Sequence, residues 1–370
     1  MKSAAAYTNK RRVMAEAENT KVEQIGNIAT NYKLLQSVLP STPSVGCGPD
    51  FTHYTYFKGC VRSKYADCIL KESVYLEEIV AGVLNDGNST LDGYGTNAKF
   101  HSTFGLANTD NNTIYIVDRS YQLIRKYLIS TNYVSTFAGQ DGSYGSTNGT
   151  TLLNSSFNYP NNIAYDSVNN IMYISESNDI RKINLNTNTI TTLLNKPAGY
   201  EVFTSIIYKN NFIYGIDNQK SIIFKIDPST SNITILAGST SGGKGYVDGT
   251  GASVRFNTDL LSNTITADSV GNLYIADRNN NCIRKLNITT NEVTTFQSVS
   301  DIITITYNLA DGLLYYVSNN GLYTLNLSTK EIKKVFQSKY TLESGIVIIN
   351  SDLFYFVSPN SILIKVYRSN

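Results

Sequence analysis

Apolar and polar residues alternate in short runs along most of this chain, and short polar turns separate the runs. A period of two is typical of β-strands that are buried on one face. One such run recurs as IYIVD at Ile114, MYISE at Met172, IYGID at Ile213, LYIAD at Leu273 and LYYVS at Leu314. Its tyrosines, together with the one in LFYFVS, are 58, 41, 60, 41 and 40 residues apart. A period near 40 residues, interrupted by insertions of about 20, predicts repeated units of four short strands.

Each unit contains further strand-like runs around this one. After LYIAD come CIRKLN at Cys282 and EVTTFQ at Glu292, and the polar residues TTN join the two runs. Short polar turns of this kind are typical of hairpins. We expect Tyr274, Ile283 and Val293 to point into the layers between neighbouring sheets.

Three insertions of 20 residues share a signature. They are Ala81–Phe100, Ala138–Phe157 and Ala237–Phe256, and each begins with Ala-Gly and ends with Phe. The first and third also share an Asp-Gly pair, at Asp92 and Asp248, followed two residues later by another glycine. Glycine supplies positive φ angles that other residues resist. We expect the final phenylalanine to anchor the return of the chain into the core.

These repeats resemble the NHL-repeat family of β-propellers, in which a glycine-rich loop precedes strands similar to IAYD and GNLYIAD. The residues that carry the resemblance are Gly238–Phe256, Asp268–Arg284, Phe157–Asp166 and Tyr173–Lys182. It covers residues 75–370, about four-fifths of the chain. The last two units depart from it, because Ser318 and Ser358 replace the aspartate and the long insertions are absent. The resemblance implies an all-β, six-bladed β-propeller of four-stranded blades.

The ends of the repeat region predict how the ring closes. The last unit, Ile346–Tyr367, offers three strands, whereas Tyr75–Gly82 (YLEEIVAG) matches the fourth strand of the other units. Pairing these two segments would complete the sixth blade and leave no open edge. We therefore predict a propeller over residues 74–370, closed by a strand at about 75–82, and a separate N-terminal segment over 1–73.

The N-terminal segment is predicted to be partly helical. Ile25, Ile28, Tyr32 and Leu35 follow a helical spacing within residues 11–38, and a Pro-containing linker comes next. The apolar stripe suits docking against the propeller or self-association as a short coiled coil.

Cysteines in this segment leave two interpretations open. Cys47, Cys60 and Cys68 lie close in sequence, near His53, and Cys282 stands alone in a repeat. The spacing fits no zinc motif, so we predict no metal. Reduced, partly buried thiols are the expected state, and one disulfide among the three is the alternative in an oxidising compartment.

The charge distribution argues against nucleic acid. The chain has a net charge of +2, of which residues 1–73 carry +4 (ten basic, six acidic) and the rest carries −2 (21 basic, 23 acidic). A slightly acidic body binds phosphate backbones poorly, so we expect no nucleic-acid partner unless Arg119, Lys220, Lys244 and Arg278 form one basic patch. The sequence shows neither the apolar run of a secretory signal nor a span of about 20 apolar residues. By default we expect a cytoplasmic or particle-associated protein, with organism and compartment unknown.

The long-loop face is the end of a propeller where the loops between second and third strands meet the loops that lead to the next blade. Asp118 and Asp277, at the ends of two second strands, are expected to accept hydrogen bonds from their turns. The predicted binding residues of this face are Tyr94, Arg119, Tyr121, Tyr144, Gln219, Lys220, Lys244, Tyr246, Arg278, Asn279 and Asn280. Tyr and Arg with adaptable Asn are typical of recognition surfaces, and ordinary solvated loops are the alternative.

Catalytic motifs are scarce. The chain has two histidines, His53 and His101, and lacks a nucleophile elbow, a P-loop and a dinucleotide fingerprint. The Asp-Gly loops lack the alternating oxygen ligands of a calcium loop. We therefore expect no catalytic residues, no metal and no cofactor, and a protein that is not an enzyme.

The function that these patterns favour is a non-enzymatic interaction scaffold. It would bind a protein partner of unknown identity through the long-loop face, with the N-terminal segment as tether or oligomerisation arm. The alternative is a module that binds a small molecule or glycan, or a propeller hydrolase or lyase that uses the central channel. RNA binding is a third, weaker hypothesis.

Overall fold

The chain divides into two units, residues 1–73 and 74–370. The computed structural model describes residues 57–62, 68–72, 75–84, 89–241, 243–258, 265–342, 345–358 and 361–369. In the first unit, strands β1 (Phe57–Arg62) and β2 (Cys68–Glu72) form an antiparallel hairpin. The helix predicted for residues 11–38, the linker, Cys47 and His53 lie outside the described residues.

The second unit consists of six antiparallel sheets, which are the blades of a six-bladed β-propeller. Blade 6 also contains the first strand of this unit, β3 (Tyr75–Gly82). Blade 1 contains β4 (Gly93–Tyr94), β5 (Thr103–Asn108), β6 (Thr113–Asp118), β7 (Leu123–Leu128) and β8 (Tyr133–Ala138). Blade 2 contains β9 (Asn162–Asp166), β10 (Ile171–Ser175), β11 (Asp179–Asn184) and β12 (Thr189–Asn195). Blade 3 contains β13 (Phe203–Lys209), β14 (Phe212–Asp217), β15 (Ile222–Asp227) and β16 (Asn232–Ala237). Blade 4 contains β17 (Gly249–Thr250), β18 (Ile265–Ala267), β19 (Leu273–Asp277), β20 (Cys282–Asn287) and β21 (Glu292–Ser298). Blade 5 contains β22 (Ile302–Asn308), β23 (Leu313–Ser318), β24 (Gly321–Asn326) and β25 (Ile332–Gln337). Blade 6 contains β26 (Ile346–Asn350), β27 (Leu353–Ser358) and β28 (Ile362–Arg368) beside β3.

The innermost strands of the blades form a closed ring. In order around the axis they are β5, β9, β13, β18, β22 and β26, and each contacts the next, with β26 contacting β5. Strand β3 pairs antiparallel with β28 and is the outermost strand of blade 6, with Glu78 opposite Lys365. The ring is therefore joined by a strand from one end of the propeller sequence and three strands from the other.

Apolar side chains fill the layers between neighbouring blades. Tyr274 and Ile283 pack with Leu314 and Tyr316 between blades 4 and 5. Val293 packs in the layer between blades 3 and 4. The positions predicted to face these layers are thus confirmed. Each fully buried Leu, Ile, Val or Phe contributes about 1.5–3 kcal/mol relative to an exposed one, so burial in these layers stabilises the propeller.

The three insertions run along the outer edges of the blades that follow them. Gly93–Tyr94 pairs with the start of β8, and Gly249–Thr250 pairs with the start of β21. In the second insertion, Gly149 forms a bridge to Ile190 of β12. These contacts cover edges that would otherwise expose unpaired backbone groups.

Buried arginines hold these insertions in place. Arg284 of β20 is fully buried and makes ion pairs with Asp277, at 2.9 Å, and with Asp248 of the insertion, at 2.6 Å. It also donates to the carbonyl oxygens of residues 247 and 255. Arg125 and Arg181 make corresponding contacts in blades 1 and 2.

The phenylalanine that ends each insertion completes the contact. Phe100, Phe157 and Phe256 are fully buried, and the guanidinium of the blade's arginine lies 5.1–5.7 Å from the ring centroid. The expected anchoring role of these phenylalanines is confirmed. Within the described part of the chain, no helix is long and apolar enough to cross a membrane.

Candidate functional site

Two of the predicted binding residues lie away from the long-loop face. Tyr94 pairs with Tyr133 at the outer edge of blade 1, and their ring centroids are 4.6 Å apart. The Tyr246 hydroxyl lies 3.0 Å from Oγ1 of Thr295 on the outer strand of blade 4. The expectation that all three insertions build the face is corrected, because the buried arginines draw the insertions outward along the blades.

Most of the predicted cations on the face have partners within the chain. Arg278 makes an ion pair with Asp301, at 2.9 Å, and Lys220 makes one with Glu201, at 3.3 Å. Lys244 donates to a backbone carbonyl oxygen. The predicted amide residues in the turns beside these cations are Gln219, Asn279 and Asn280. This half of the face is held together by internal contacts, and two of the cations that an RNA-binding patch requires are neutralised.

A cluster at the junction of blades 1 and 2 contains the other predicted residues. We call it the Arg119 cluster, and its members are His101, Arg119, Tyr121, Tyr144 and Tyr159. The Arg119 guanidinium carbon lies 5.1 Å from the Tyr159 ring centroid, and the Tyr144 and Tyr159 centroids are 5.3 Å apart. The His101 ring lies 4.9 Å from the ring of Tyr121. Tyr144 is 58% exposed, so the cluster is open to solvent on the side of the second insertion.

Among the described non-glycine residues with positive φ, Tyr159 is the one aromatic side chain, whereas Gln122 occupies a turn position that is also left-handed as Ser221, Asn281, Asn320 and Ser361 in other blades. Gln122 and Tyr159 adopt left-handed conformations, with φ of 60° and 51°. The Tyr159 N–H donates to Oε1 of Gln122 at 2.6 Å, and the Gln122 amide donates to the carbonyl oxygens of Arg119 and Ser120. A bulky residue with positive φ is rare, and such residues concentrate at functional sites.

His101 is fixed by its backbone. The Asp118 carboxylate accepts hydrogen bonds from the N–H groups of His101 and Ser102. Burial raises the pKa of Asp118, and the Ser102 N–H and Arg125 oppose that rise. Within the described residues, His101 Nδ1 is buried and has no hydrogen-bond partner. Because His101 precedes β5, the first inner strand, it lies at the mouth of the ring.

Sequence reasoning missed Tyr159 and set His101 aside. Tyr159 lies two residues after the phenylalanine that ends the second insertion, in the segment NYPN before β9. The alternation of apolar and polar residues does not identify Tyr159, because its position depends on a left-handed backbone conformation. The signal available for His101 was its place at the end of an insertion and the start of an inner strand.

The inner strands supply little metal-binding chemistry. Among their described residues the one carboxylate is Asp166, and it accepts hydrogen bonds from Val168 and Asn169 in its own turn. The described residues contain no group of three or more His, Cys, Asp or Glu side chains that could hold a metal ion. Cys282 is a buried free thiol, and burial raises its pKa to about 12.

Comparisons with known proteins identify the fold. No protein family and no curated protein matches the chain, so membership of the NHL-repeat family stays a prediction. A protein of unknown function from Bacteroides thetaiotaomicron is similar in structure, with a TM-score of 0.61, 13% identity, and coverage of 82% of this chain and 78% of the other. A gluconolactonase from Xanthomonas campestris has a TM-score of 0.53 and 12% identity, with 73% and 87% covered. A virginiamycin B lyase variant from Staphylococcus aureus has a TM-score of 0.52 and 13% identity, with 80% and 99% covered.

These similarities correct one expectation. We expected a protein that is not an enzyme, but the structural neighbours include a gluconolactonase, a putative gluconolactonase and streptogramin B lyases. At these low identities the likeness shows the fold alone. Since some proteins with this fold are enzymes, the scarcity of catalytic motifs is no reason to exclude catalysis.

Proposed function

We propose that this chain is a propeller hydrolase or lyase that acts on a small ring compound at the Arg119 cluster, with His101 as the proton-transfer group. The observation that carries this proposal is the position of His101 before the first inner strand, with its ring 4.9 Å from that of Tyr121, in the same 3₁₀ turn as Arg119. Imidazole is the side chain that most often transfers protons near neutral pH. The tyrosine rings offer apolar faces on which a ring compound can stack.

Either reaction begins with a proton that moves to His101. For a lactone, Nε2 accepts a proton from water while the water oxygen bonds to the acyl carbon. The ring C–O bond then breaks, and the proton passes to the leaving oxygen to give a hydroxy acid. For a lyase, Nε2 accepts a proton from carbon, a C=C bond forms, and the adjacent ester C–O bond breaks to release a carboxylate. Nε2 is the reacting nitrogen because Nδ1 is buried.

The named neighbours support the choice of ring-shaped substrates. One is a gluconolactonase, and another is a catalytically inactive histidine-to-alanine variant of virginiamycin B lyase bound to quinupristin. Such a variant indicates that a propeller lyase depends on a histidine. The protein-binding scaffold and the N-terminal tether remain predictions that no observation in the described residues supports.

The test is an activity screen with matched histidine variants. D-glucono-1,5-lactone is followed by acid release, and a streptogramin B depsipeptide is followed by the absorbance of the new C=C bond. We expect the wild-type chain to turn over one of them and His101→Gln to lower kcat by about 10²–10⁴-fold. His53→Gln, in the other unit, should keep full activity. Turnover of neither substrate class, or an unchanged kcat in a folded His101→Gln variant, would overturn the proposal.

A further inference from the structure

The repeats contain an internal comparison for Arg119. Arg119 and Arg278 each follow a buried aspartate and begin a 3₁₀ turn, Arg119–Tyr121 and Arg278–Asn280. Each side chain reaches the residue immediately before the inner strand of the next blade. In blade 5 that residue is Asp301, which accepts from Nε and Nη2 of Arg278 at 3.2 and 2.9 Å.

In blade 2 the corresponding residue is an amide. Asn161 accepts from Nε of Arg119 through Oδ1 at 2.9 Å and donates through Nδ2 to the carbonyl oxygen of Phe203 at 2.9 Å. The replacement of a carboxylate by an amide keeps the contact geometry but leaves the charge of Arg119 uncompensated. Within the described residues, neither Nη1 nor Nη2 of Arg119 has a protein partner.

The surroundings make this uncompensated charge costly. Phe104 and Tyr159 flank the guanidinium, with ring centroids 5.2 and 5.1 Å from its central carbon. Burial lowers the pKa of Arg119, but arginine stays protonated in proteins. A cation that is partly removed from water without a counter-ion favours the binding of an anion. Each fully buried arginine of this propeller, in contrast, lies within 3.5 Å of a buried carboxyl group.

We propose that Arg119 binds a carboxylate on the small molecule that the site recognises, so that the ligands are ring compounds with an acidic group, such as sugar acids. This inference rests on the proposed function for the location of the site. The two Nη groups present parallel N–H donors that match a planar carboxylate. Tyr159 and Tyr144 then lie beside the ring of the ligand.

The test measures binding without turnover. D-glucuronate, D-glucose and inorganic phosphate are titrated calorimetrically against the whole chain. We expect glucuronate to bind at least tenfold more tightly than glucose, because a charge-assisted hydrogen bond contributes at least that factor. We expect phosphate to bind more weakly than glucuronate. Equal affinities for glucuronate and glucose, or tighter binding of phosphate, would overturn the proposed ligand class.

Two variants test the residue itself. Arg119→Gln removes the cation, and Asn161→Asp supplies the internal carboxylate that Arg278 already has. Each should weaken glucuronate binding at least tenfold, while Arg368→Gln, which removes an exposed cation on the last strand, should leave it unchanged. If Asn161→Asp fails to fold, Arg119→Gln decides alone. Unchanged affinity in a folded Arg119→Gln variant would overturn the inference.

The outcome can be separated from that of the proposed function. Calorimetry with glucuronate requires no proton transfer, so it reports on Arg119 independently of turnover. Arg119-dependent binding without turnover of any substrate would sustain the anion site and refute the enzyme. Turnover that depends on His101, with no effect of Arg119→Gln on binding or on KM, would support the enzyme and refute the anion site.

Discussion

A Cβ atom at Gly238 would lie 2.5 Å from the carbonyl oxygen of Ser221. Gly238 has a φ of +89°, and its contact with Ser221 joins the start of the third insertion to the turn between β14 and β15. The other two insertions begin in the same way. Cβ atoms at Gly82 and Gly139 would approach the carbonyl oxygens of Ser361 and Gln122 to 2.2 and 2.3 Å. The Ala-Gly pair at the start of each insertion therefore reflects both the positive φ and the lack of space for a side chain.

We predict that Gly238→Ala destabilises the propeller by about 1–3 kcal/mol, since alanine at this φ is strained and its Cβ overlaps a backbone oxygen. The midpoint of urea denaturation, followed by circular dichroism, measures the effect. Gly243→Ala is the matched control, because a Cβ at Gly243 meets no atom within 4 Å. Equal midpoints for the two variants would contradict the prediction.

The buried arginines should be essential to the blades that contain them. Arg284→Met keeps most of the side-chain volume but leaves Asp277 buried without its counter-ion. Breaking a buried ion pair in this way costs about 3–5 kcal/mol, so a large drop in the thermal midpoint is expected. Lys333→Met is the control, because it breaks an exposed pair with Glu331, and exposed pairs contribute at most about 1 kcal/mol. A drop no larger than that of the control would show that the third insertion does not depend on Arg284.

The sequence was sufficient to predict the six-bladed architecture, because each blade is built from the same repeated strand pattern. The period near 40 residues and the alternation around Tyr274 report on the layers between blades, which depend on local patterns repeated in every unit. Strand Tyr75–Gly82 could likewise be matched to the fourth strand of other blades, and it pairs with β28.

The path of the insertions could not be predicted in the same way, since it depends on contacts between distant residues. A signal was nevertheless present. The third strands that contain Arg125, Arg181 and Arg284 belong to the blades that follow an insertion. In the other blades the same position is occupied by Phe224, Tyr323 and Ile364. The arginine and the insertion thus occur together, which indicates that they bind each other.

A single carboxyl group should make stability depend on pH. Glu176 of blade 2 is buried beside Arg181, at 3.3 Å, in the position that is aspartate in blades 1 and 4. Burial raises the pKa of Glu176 from 4.5 to about 8, Arg181 opposes the rise, and Asp179 adds to it. The folded state therefore binds more protons than the unfolded state between pH 4.5 and 8, and the free energy of unfolding must fall as the pH rises through this range.

We predict that Glu176→Gln removes the contribution of this group, while Asp118, Asp217 and Asp277, whose pKa values burial also raises, keep theirs. The difference in unfolding free energy between wild type and Glu176→Gln should decrease from pH 5 to pH 8, measured by urea denaturation at several pH values. Glu331→Gln, at an exposed glutamate, controls for the loss of one carboxyl group. A difference that stays constant or rises with pH would show that burial does not govern the titration of Glu176.

The junction between β3 and β28 can be tested by a covalent link. Glu78 and Lys365 lie opposite each other in these antiparallel strands, and their side chains form an ion pair at 2.7 Å. Opposed Cα atoms in antiparallel strands are about 4.5–5.5 Å apart, within the range of disulfides. We predict that Glu78→Cys with Lys365→Cys forms a disulfide on oxidation, identified as a linked peptide by mass spectrometry. Since the link joins residues 287 positions apart, it should raise the free energy of unfolding by about 2–4 kcal/mol. Glu78→Cys alone reveals any reaction with the native cysteines. Absence of the linked peptide in the double variant would mean that β3 is not the strand that completes blade 6.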